Sequence, residues 1–337
     1  MTTPLLKVDD LRVRFRTMGP LKALAKGVPD PYIDAVCGVS FDISEGETLG
    51  LVGESGSGKS TIARAIMGLV PAESGSVSFA GTDLTALSPR RFAPYRRDMA
   101  MMFQDPVGSL SPRLTVRSLI TEPFRIHGTG DRDLDQEARR LLKMVGLNED
   151  FARRFPHQLS GGQARRVGVA RALALNPKLI IADEPTAGLD VSVQGEILNL
   201  FARLQDELGL AILIITHNLN VVRHITDRMA IMYLGRFVEQ GPTEEVFYTP
   251  RHPYTEALLS ANPEPDPDAV LDRIAISGEV PSLMNRPSGC EFHTRCLYAQ
   301  GKCRTEAPVL TEAGESHSFT CHYPLTTAHT GRTKAAS

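Results

Sequence analysis

No long hydrophobic run, no leader-like start and no strong charge bias marks this chain of 337 residues. The densest apolar stretches, such as 210–215, are about a third of a membrane span, so no spanning helix is expected. Met1, Thr2, Thr3 and Pro4 lack the basic-then-apolar plan of a signal peptide. Lys and Arg total 37 against 39 Asp and Glu, a net charge of −2. Without a basic excess nothing points to nucleic acid, and without an acidic excess nothing points to disorder. No internal repeat is present. Of five cysteines only Cys37 precedes residue 290. Together these absences predict a soluble, cytoplasmic protein that reaches a membrane only through a partner. What is present, 42% hydrophobic residues, suffices for a core and about two domains.

Leu6, Val8, Leu11, Val13 and Phe15 alternate and predict a strand. The breakers Gly19, Pro20, Gly27, Pro29 and Pro31 predict a loop over 16–31. Residues 36–43, a turn at Ser44-Glu45-Gly46 and residues 48–52 read as a hairpin leading into a buried strand. Helices are expected over 60–69, 131–147 and 163–175, the second with Leu134, Ala138, Leu141, Leu142 and Val145 on one face. The apolar runs 179–182 and 211–215 fit interior strands of a parallel sheet, with a crossover helix over 192–208. The class is α/β. From Pro242 to Pro287 eight prolines precede the late cysteines, which places a boundary at 240/241, an extension over 241–324 and a disordered tail over 325–337.

Gly53, Glu54, Ser55, Gly56, Ser57, Gly58, Lys59 and Ser60, with Thr61 next in line, fit the nucleotide-binding loop pattern throughout. Glycines let several backbone N–H groups turn toward one phosphate chain, and the following helix adds its dipole. Lys59 supplies a point charge for the β- and γ-phosphates, and Ser60 can ligate Mg²⁺. A chance Gly/Ser turn is the bland alternative. An apolar strand before the loop and a helix after it argue against that. Asp183 and Glu184 end the run 179–184. Asp183 at a strand tip can hold Mg²⁺, and Glu184 can polarise the water that attacks the γ-phosphate. The cofactors expected are ATP and Mg²⁺.

Leu159, Ser160, Gly161, Gly162 and Gln163 open a helix about a hundred residues after Lys59. Ser160 suits an N-cap, and the exposed donors of that helix make a second anion site. With these motifs the sequence resembles the ATP-binding subunit of an ABC transporter over residues 5–240. The resemblance implies a P-loop NTPase (RecA-like) core, an antiparallel β subdomain, and a helical signature subdomain over about 104–165. It places Gln104 at the Q-loop and beside Mg²⁺, Asp190 in the D-loop, and His217 at the switch. Gly188 stands where the family more often has Ala, and Asn218 where Asp is commoner. Phe15 or Tyr32 would stack on adenine. Phe103-Gln104-Asp105-Pro106, Ser109-Leu110-Ser111-Pro112, Phe155-Pro156-His157-Gln158 and the run 248–255 are similar to the peptide/nickel importer branch. The family implies two ATPase subunits closing head to tail over ATP, two transmembrane permease subunits docking near Gln104–Arg125, and an extracytoplasmic solute-binding protein. It also implies a peripheral place at the cytoplasmic face of the membrane. A soluble ABC-type ATPase is the competing reading, and nothing in the sequence favours it.

Cys290, Cys296, Cys303 and Cys321 lack the two-residue spacing of zinc ribbons. Four thiolates suit Zn²⁺ or an iron–sulfur cluster. The branch resemblance favours [4Fe–4S] at a structural site apart from the nucleotide motifs, and a segment without metal is the third reading. Cys37 reads as a small core residue.

Overall fold

Interior strands announce themselves by continuous burial. Residues 48–52, 179–183 and 211–216 are buried at every position. The computed structural model describes residues 3–25, 27, 31–105, 108–128, 132–261, 274, 276, 278–314 and 316–326. In chain order the elements are β1 (Leu6–Arg16), α1 (Pro20–Ala25), β2 (Tyr32–Ile43), β3 (Thr48–Val52), α2 (Lys59–Ile66), β4 (Ser74–Phe79), β5 (Thr82–Asp83), α3 (Pro89–Phe92) and β6 (Met99–Met102). Then come α4 (Val116–Ile126), α5 (Leu134–Met144), α6 (Gly161–Leu173), β7 (Leu179–Asp183), α7 (Val191–Leu208), β8 (Ala211–Thr216), α8 (Leu219–Ile225), β9 (Arg228–Tyr233) and β10 (Arg236–Pro242). The chain closes with α9 (Thr243–Tyr248), α10 (Pro253–Ala261), α11 (Gly301–Thr305), β11 (Thr311–Glu312) and β12 (Ser318–Phe319).

The chain forms two compact units. The first holds the residues up to Leu6, Ile43–Thr48 and Phe79–Ile215. In it β6, β7 and β8 run parallel, with Met102 opposite Ala182 and Asp183 opposite Ile215. The crossover α7 starts at Asp190, whose carboxylate accepts from Val193 N, and stops at Gly209 in the left-handed conformation. Helix α5 is capped by Asp133 and buries Ala138, Leu141 and Leu142. Arg171 of α6 donates to Glu122 of α4 at 2.6 Å, and Arg117 of α4 pairs with Asp135 of α5.

The second unit holds Lys7–Asp42, Leu49–Ser78 and the chain from Thr216 onward. Strands β2, β1 and β4 are neighbours in one sheet. The alternation of β1 changes phase between Val8 and Leu11, where Asp10 takes φ 43°. In another sheet the order is β11-β12-β10-β9-β3, with β3 parallel to β9 and the remaining pairs antiparallel. One apolar cluster joins Val52, Ile231, Tyr233, Tyr254 and Phe292. Beside it Glu239 is fully buried. Its carboxylate accepts from the N–H groups of Arg251 (2.6 Å) and His252 (3.0 Å), and His317 Nε2 lies 2.8 Å away. These bonds satisfy a buried charge and seat the Arg251-His252-Pro253-Tyr254 run.

Two expectations change. The loop over 16–31 contains α1, because Pro20 suits a helix's first position. Strands β2 and β3 are not a hairpin: they lie in different sheets, and the turn at 44–46 carries the chain from one to the other. Residues 240 and 241 lie within β10, and the cysteine-bearing segment packs within the second unit. Its Phe292 is core to the second unit, and β12 extends the sheet through β10. Pro263, Pro265, Pro267 and residues 327–337 of the expected tail lie outside the described residues. Among the described residues no helix is long and apolar enough to cross a membrane.

Candidate functional site

The phosphate-loop motif turns between β3 and α2, at the carboxyl end of a buried parallel strand. Gly58 caps α2 with φ 109°, and a Cβ there would stand 2.4 Å from Ala35 O. At Gly53 a Cβ would meet Met232 O at 2.2 Å. Only glycine fits either place. Lys59 is buried, and its Nζ donates to Gly53 O (2.7 Å), Glu54 O (2.8 Å) and Ser57 Oγ (3.4 Å). Its ammonium is therefore held inside the loop's own curve. Ser55 and Gly56 are exposed at the rim, while Ser60 and Thr61 are half-buried on the first turn of α2. Glu54 is gripped from outside. Its N–H donates to Tyr254 Oη at 3.0 Å, and its carboxylate takes a two-pronged ion pair from Arg295 at 2.7 and 2.9 Å. His217 follows β8 in the chain and is exposed, ahead of Asn218, which caps α8 by accepting from Asn220 N. Asn fills that cap as Asp would.

In the first unit Gln104, Asp183 and Glu184 follow the carboxyl ends of the adjacent parallel strands β6 and β7. Gln104 is exposed; Asp183 and Glu184 are buried. Glu184 takes φ 51°, a left-handed backbone uncommon outside glycine. Two bonds hold it there: its N–H donates to Ile215 O (2.8 Å), and its carbonyl accepts from Arg165 Nη1 (2.9 Å). Arg165 also donates to Ala187 O at 2.6 Å. Burial pulls the Arg165 pKa down, while Asp105 and Glu184 push it back up. Helix α6 opens with a capping box: Ser160 Oγ accepts from Gln163 N, and Gln163 Oε1 accepts from Ser160 N. Gly161 abuts Leu189, and a Cβ on Gly162 would lie 2.6 Å from Val193. Gly188 has φ 72°, which explains glycine rather than alanine at that position.

Comparison with known proteins agrees with this geometry. The family described as ABC transporter matches residues 36–187, and the oligopeptide/dipeptide transporter C-terminal region matches 238–303. The oligopeptide transport ATP-binding protein OppF of Escherichia coli is 46% identical over 321 residues, covering 94% of this chain and 95% of that one. AppF of Bacillus subtilis, an oligopeptide transport ATP-binding protein, is 47% identical over 294 residues, 86% and 89% of the two chains. This chain belongs to the ATP-binding proteins of ABC transporters. Among solved structures, the dimeric post-hydrolysis state of the ATP-binding cassette MJ0796 bound to ADP and Pi has a TM-score of 0.62 at 32% identity. It covers 71% of this chain and 98% of that one.

Within this ABC-family chain, three holding residues escaped sequence reading: Arg165, Tyr254 and Arg295. Each acts across 19 or more residues, and although Tyr254 falls in the run 248–255, no local signal marks the contacts themselves. Arg295 also links the cysteine-bearing segment to the phosphate loop, so that segment does not stand apart from the nucleotide motifs. Phe15 and Tyr32 are similarly exposed, at 40% and 41%, and Tyr32 lies under Arg14 (5.0 Å) and Arg16 (5.9 Å). In the first unit, a cavity of about 230 Å³ lined by Met101, Phe103, Pro123, Ile126 and Arg171 opens between β6, α4 and α6. Cys37 is buried, as expected of a core thiol. Cys290, Cys296, Cys303 and Cys321 line one small cavity with the half-buried His293 and His322. Burial pushes Cys296 up to about 11 and Cys321 up to about 12. The donor set suits a thiophilic group, yet among the described residues no three Cys, His, Asp or Glu converge to hold a metal ion.

Proposed function

We propose that this protein is the ATP-hydrolysing subunit that powers import of oligopeptides, dipeptides or a related small solute. Its partners would be two membrane-spanning permease subunits and a second ATPase subunit at the cytoplasmic face of the membrane, fed by an extracytoplasmic solute-binding protein. The observation that carries this reading is a preformed phosphate loop in the same compact unit as the importer-type C-terminal region. Lys59 and the N–H groups of residues 55–60 would take the phosphates, with Thr61 following on the helix. Ser60, Asp183 and Gln104 would hold Mg²⁺, which supplies charge neutralisation when bound. Glu184, aimed by its unusual backbone, polarises the attacking water. His217 contacts the γ-phosphate, and Phe15 or Tyr32 stacks on adenine. Ser160, Gly161, Gly162 and Gln163 offer exposed donors to the nucleotide of a second subunit, and Asp190 shapes the loop beside them. The cavity at β6 and α4 receives a helix of the membrane subunit.

The four late cysteines would hold a [4Fe–4S] cluster, with Zn²⁺ as the alternative. Four thiols lining one small cavity suit either group, since each iron of a cluster takes one thiolate and Zn²⁺ takes four. Iron and sulfide analysis after purification without oxygen decides it, and about four of each per chain is expected. For the main reading the test is co-purification with co-expressed membrane subunits, then ATP turnover in vesicles with and without binding protein and peptide. Peptide-stimulated turnover is expected. Turnover by a chain that never joins membrane subunits would favour a soluble ABC-type ATPase instead.

A further inference from the structure

Glu54 is a carboxylate inside a loop built to receive a highly charged anion. Left free, it would repel the phosphates and could swing across the loop's mouth. In the structure it does neither. The Arg295 guanidinium meets it as a fork, Nη1 to Oε2 at 2.7 Å and Nη2 to Oε1 at 2.9 Å, with the arginine side chain 6% exposed and the glutamate 25%. Tyr254 Oη accepts the Glu54 N–H from the same side. The support beneath is rigid. Tyr233, Tyr254 and Phe292 pack ring on ring with centroids 4.8 to 5.3 Å apart, and Arg295 lies 5.9 Å from the Tyr233 centroid. Arg295 N donates to Phe292 O at 2.9 Å, fixing the turn that carries it. Glu54 also holds the Arg295 guanidinium firmly in its charged form.

We propose that Arg295 is a positioning residue for nucleotide binding: it neutralises Glu54, draws it away from the phosphates and so keeps the phosphate loop open to ATP. This rests on the phosphate-loop reading and deepens it, by giving the importer-type extension a part in nucleotide affinity. A bidentate, largely desolvated pair is among the stronger charge-assisted contacts, and its loss leaves an unpaired anion beside the site.

The experiment is equilibrium binding of ATP with magnesium to the purified full-length chain and four variants. Arg295→Ala is expected to weaken binding about tenfold to a hundredfold. Glu54→Gln alone sets the reference affinity, and Arg295→Ala with Glu54→Gln returns to within about threefold of that reference. That rescue separates charge positioning from a structural role, because removing a second holding group cannot mend a merely loosened fold. Where Arg295→Ala does not fold, Arg295→Gln repeats the series with a near-isosteric neutral side chain. Wild-type affinity in the arginine variant, or a double variant as weak as the single, overturns the proposal. Lys59→Ala is the control. If it also binds ATP normally, the phosphate-loop reading itself has failed; if it alone loses ATP, only the role of Arg295 has.

Discussion

Two helix starts in this chain offer backbone donors to an anion, and they are built in opposite ways. The loop before α2 is held on every side: Lys59 ties its inner carbonyls, Tyr254 and Arg295 grip Glu54, and Ala35 O and Met232 O leave no room for a side chain at Gly58 or Gly53. The turn before α6 is exposed at Ser160 and Gly161, and its cap is closed by its own Gln163. One is fixed by contacts within its own compact unit. The other is exposed and closed by its own cap. On the reading proposed above, the held site would bind nucleotide within one subunit and the open one would meet the nucleotide of a second.

The largest test removes chemistry and leaves both sites alone. Glu184→Gln is expected to cut ATP turnover by about 10²–10⁴-fold with ATP still bound, and to trap the closed dimer on sizing columns. Near-normal turnover would falsify the assigned base. Next, Gly58→Ala attacks the held site. A Cβ at φ 109° and 2.4 Å from a backbone carbonyl costs about 1–3 kcal/mol, read as a lower Tm and weaker ATP binding in the isolated chain.

Acid loosens the same site by a separate route. His252 is fully buried, and burial holds it down at about 3 against an ordinary value of 6.5, while its Nδ1 accepts the Tyr254 N–H. The unfolded chain takes this proton first, so stability falls as pH drops from 6.5 toward about 3. The slope is about 1.4 kcal/mol per pH unit, and denaturant titrations of His252→Gln should show that contribution gone. The Glu239 carboxylate, bonded to the His252 N–H, stays in place in that variant and controls for other acid effects. Smallest is Ser160→Ala, which removes the open site's cap. About 1 kcal/mol of helix stability should go. ATP binding by single chains should hold while ATP-dependent dimers weaken, and equal loss of both would erase the contrast drawn above.

The motifs assigned to nucleotide were legible because each is local. Residues 53–60 turn within one loop, and Asp183 and Glu184 end a run whose apolar composition alone required an interior strand. Strands β7 and β8 and helix α7 were legible for the same reason. Sheet membership was not. The turn at 44–46 looks like any hairpin turn, and only pairing with β9 tells that β3 has left the sheet of β2. The proline-rich run beyond 241 gave no sign that its chain packs on Val52 and Tyr233. The grip on Glu54 was invisible, because a tyrosine and an arginine 200 and 241 residues away carry no local sign of it.

That separation has a consequence for biogenesis. Synthesis runs from the N-terminus, so the phosphate loop leaves the ribosome long before its supports. At about 5–20 residues per second, the 241 residues between Glu54 and Arg295 amount to roughly 10–50 s of translation. During that interval the loop exists without its grip. The groups that grip the loop are thus made long after it, and the loop reaches its final form only when they arrive.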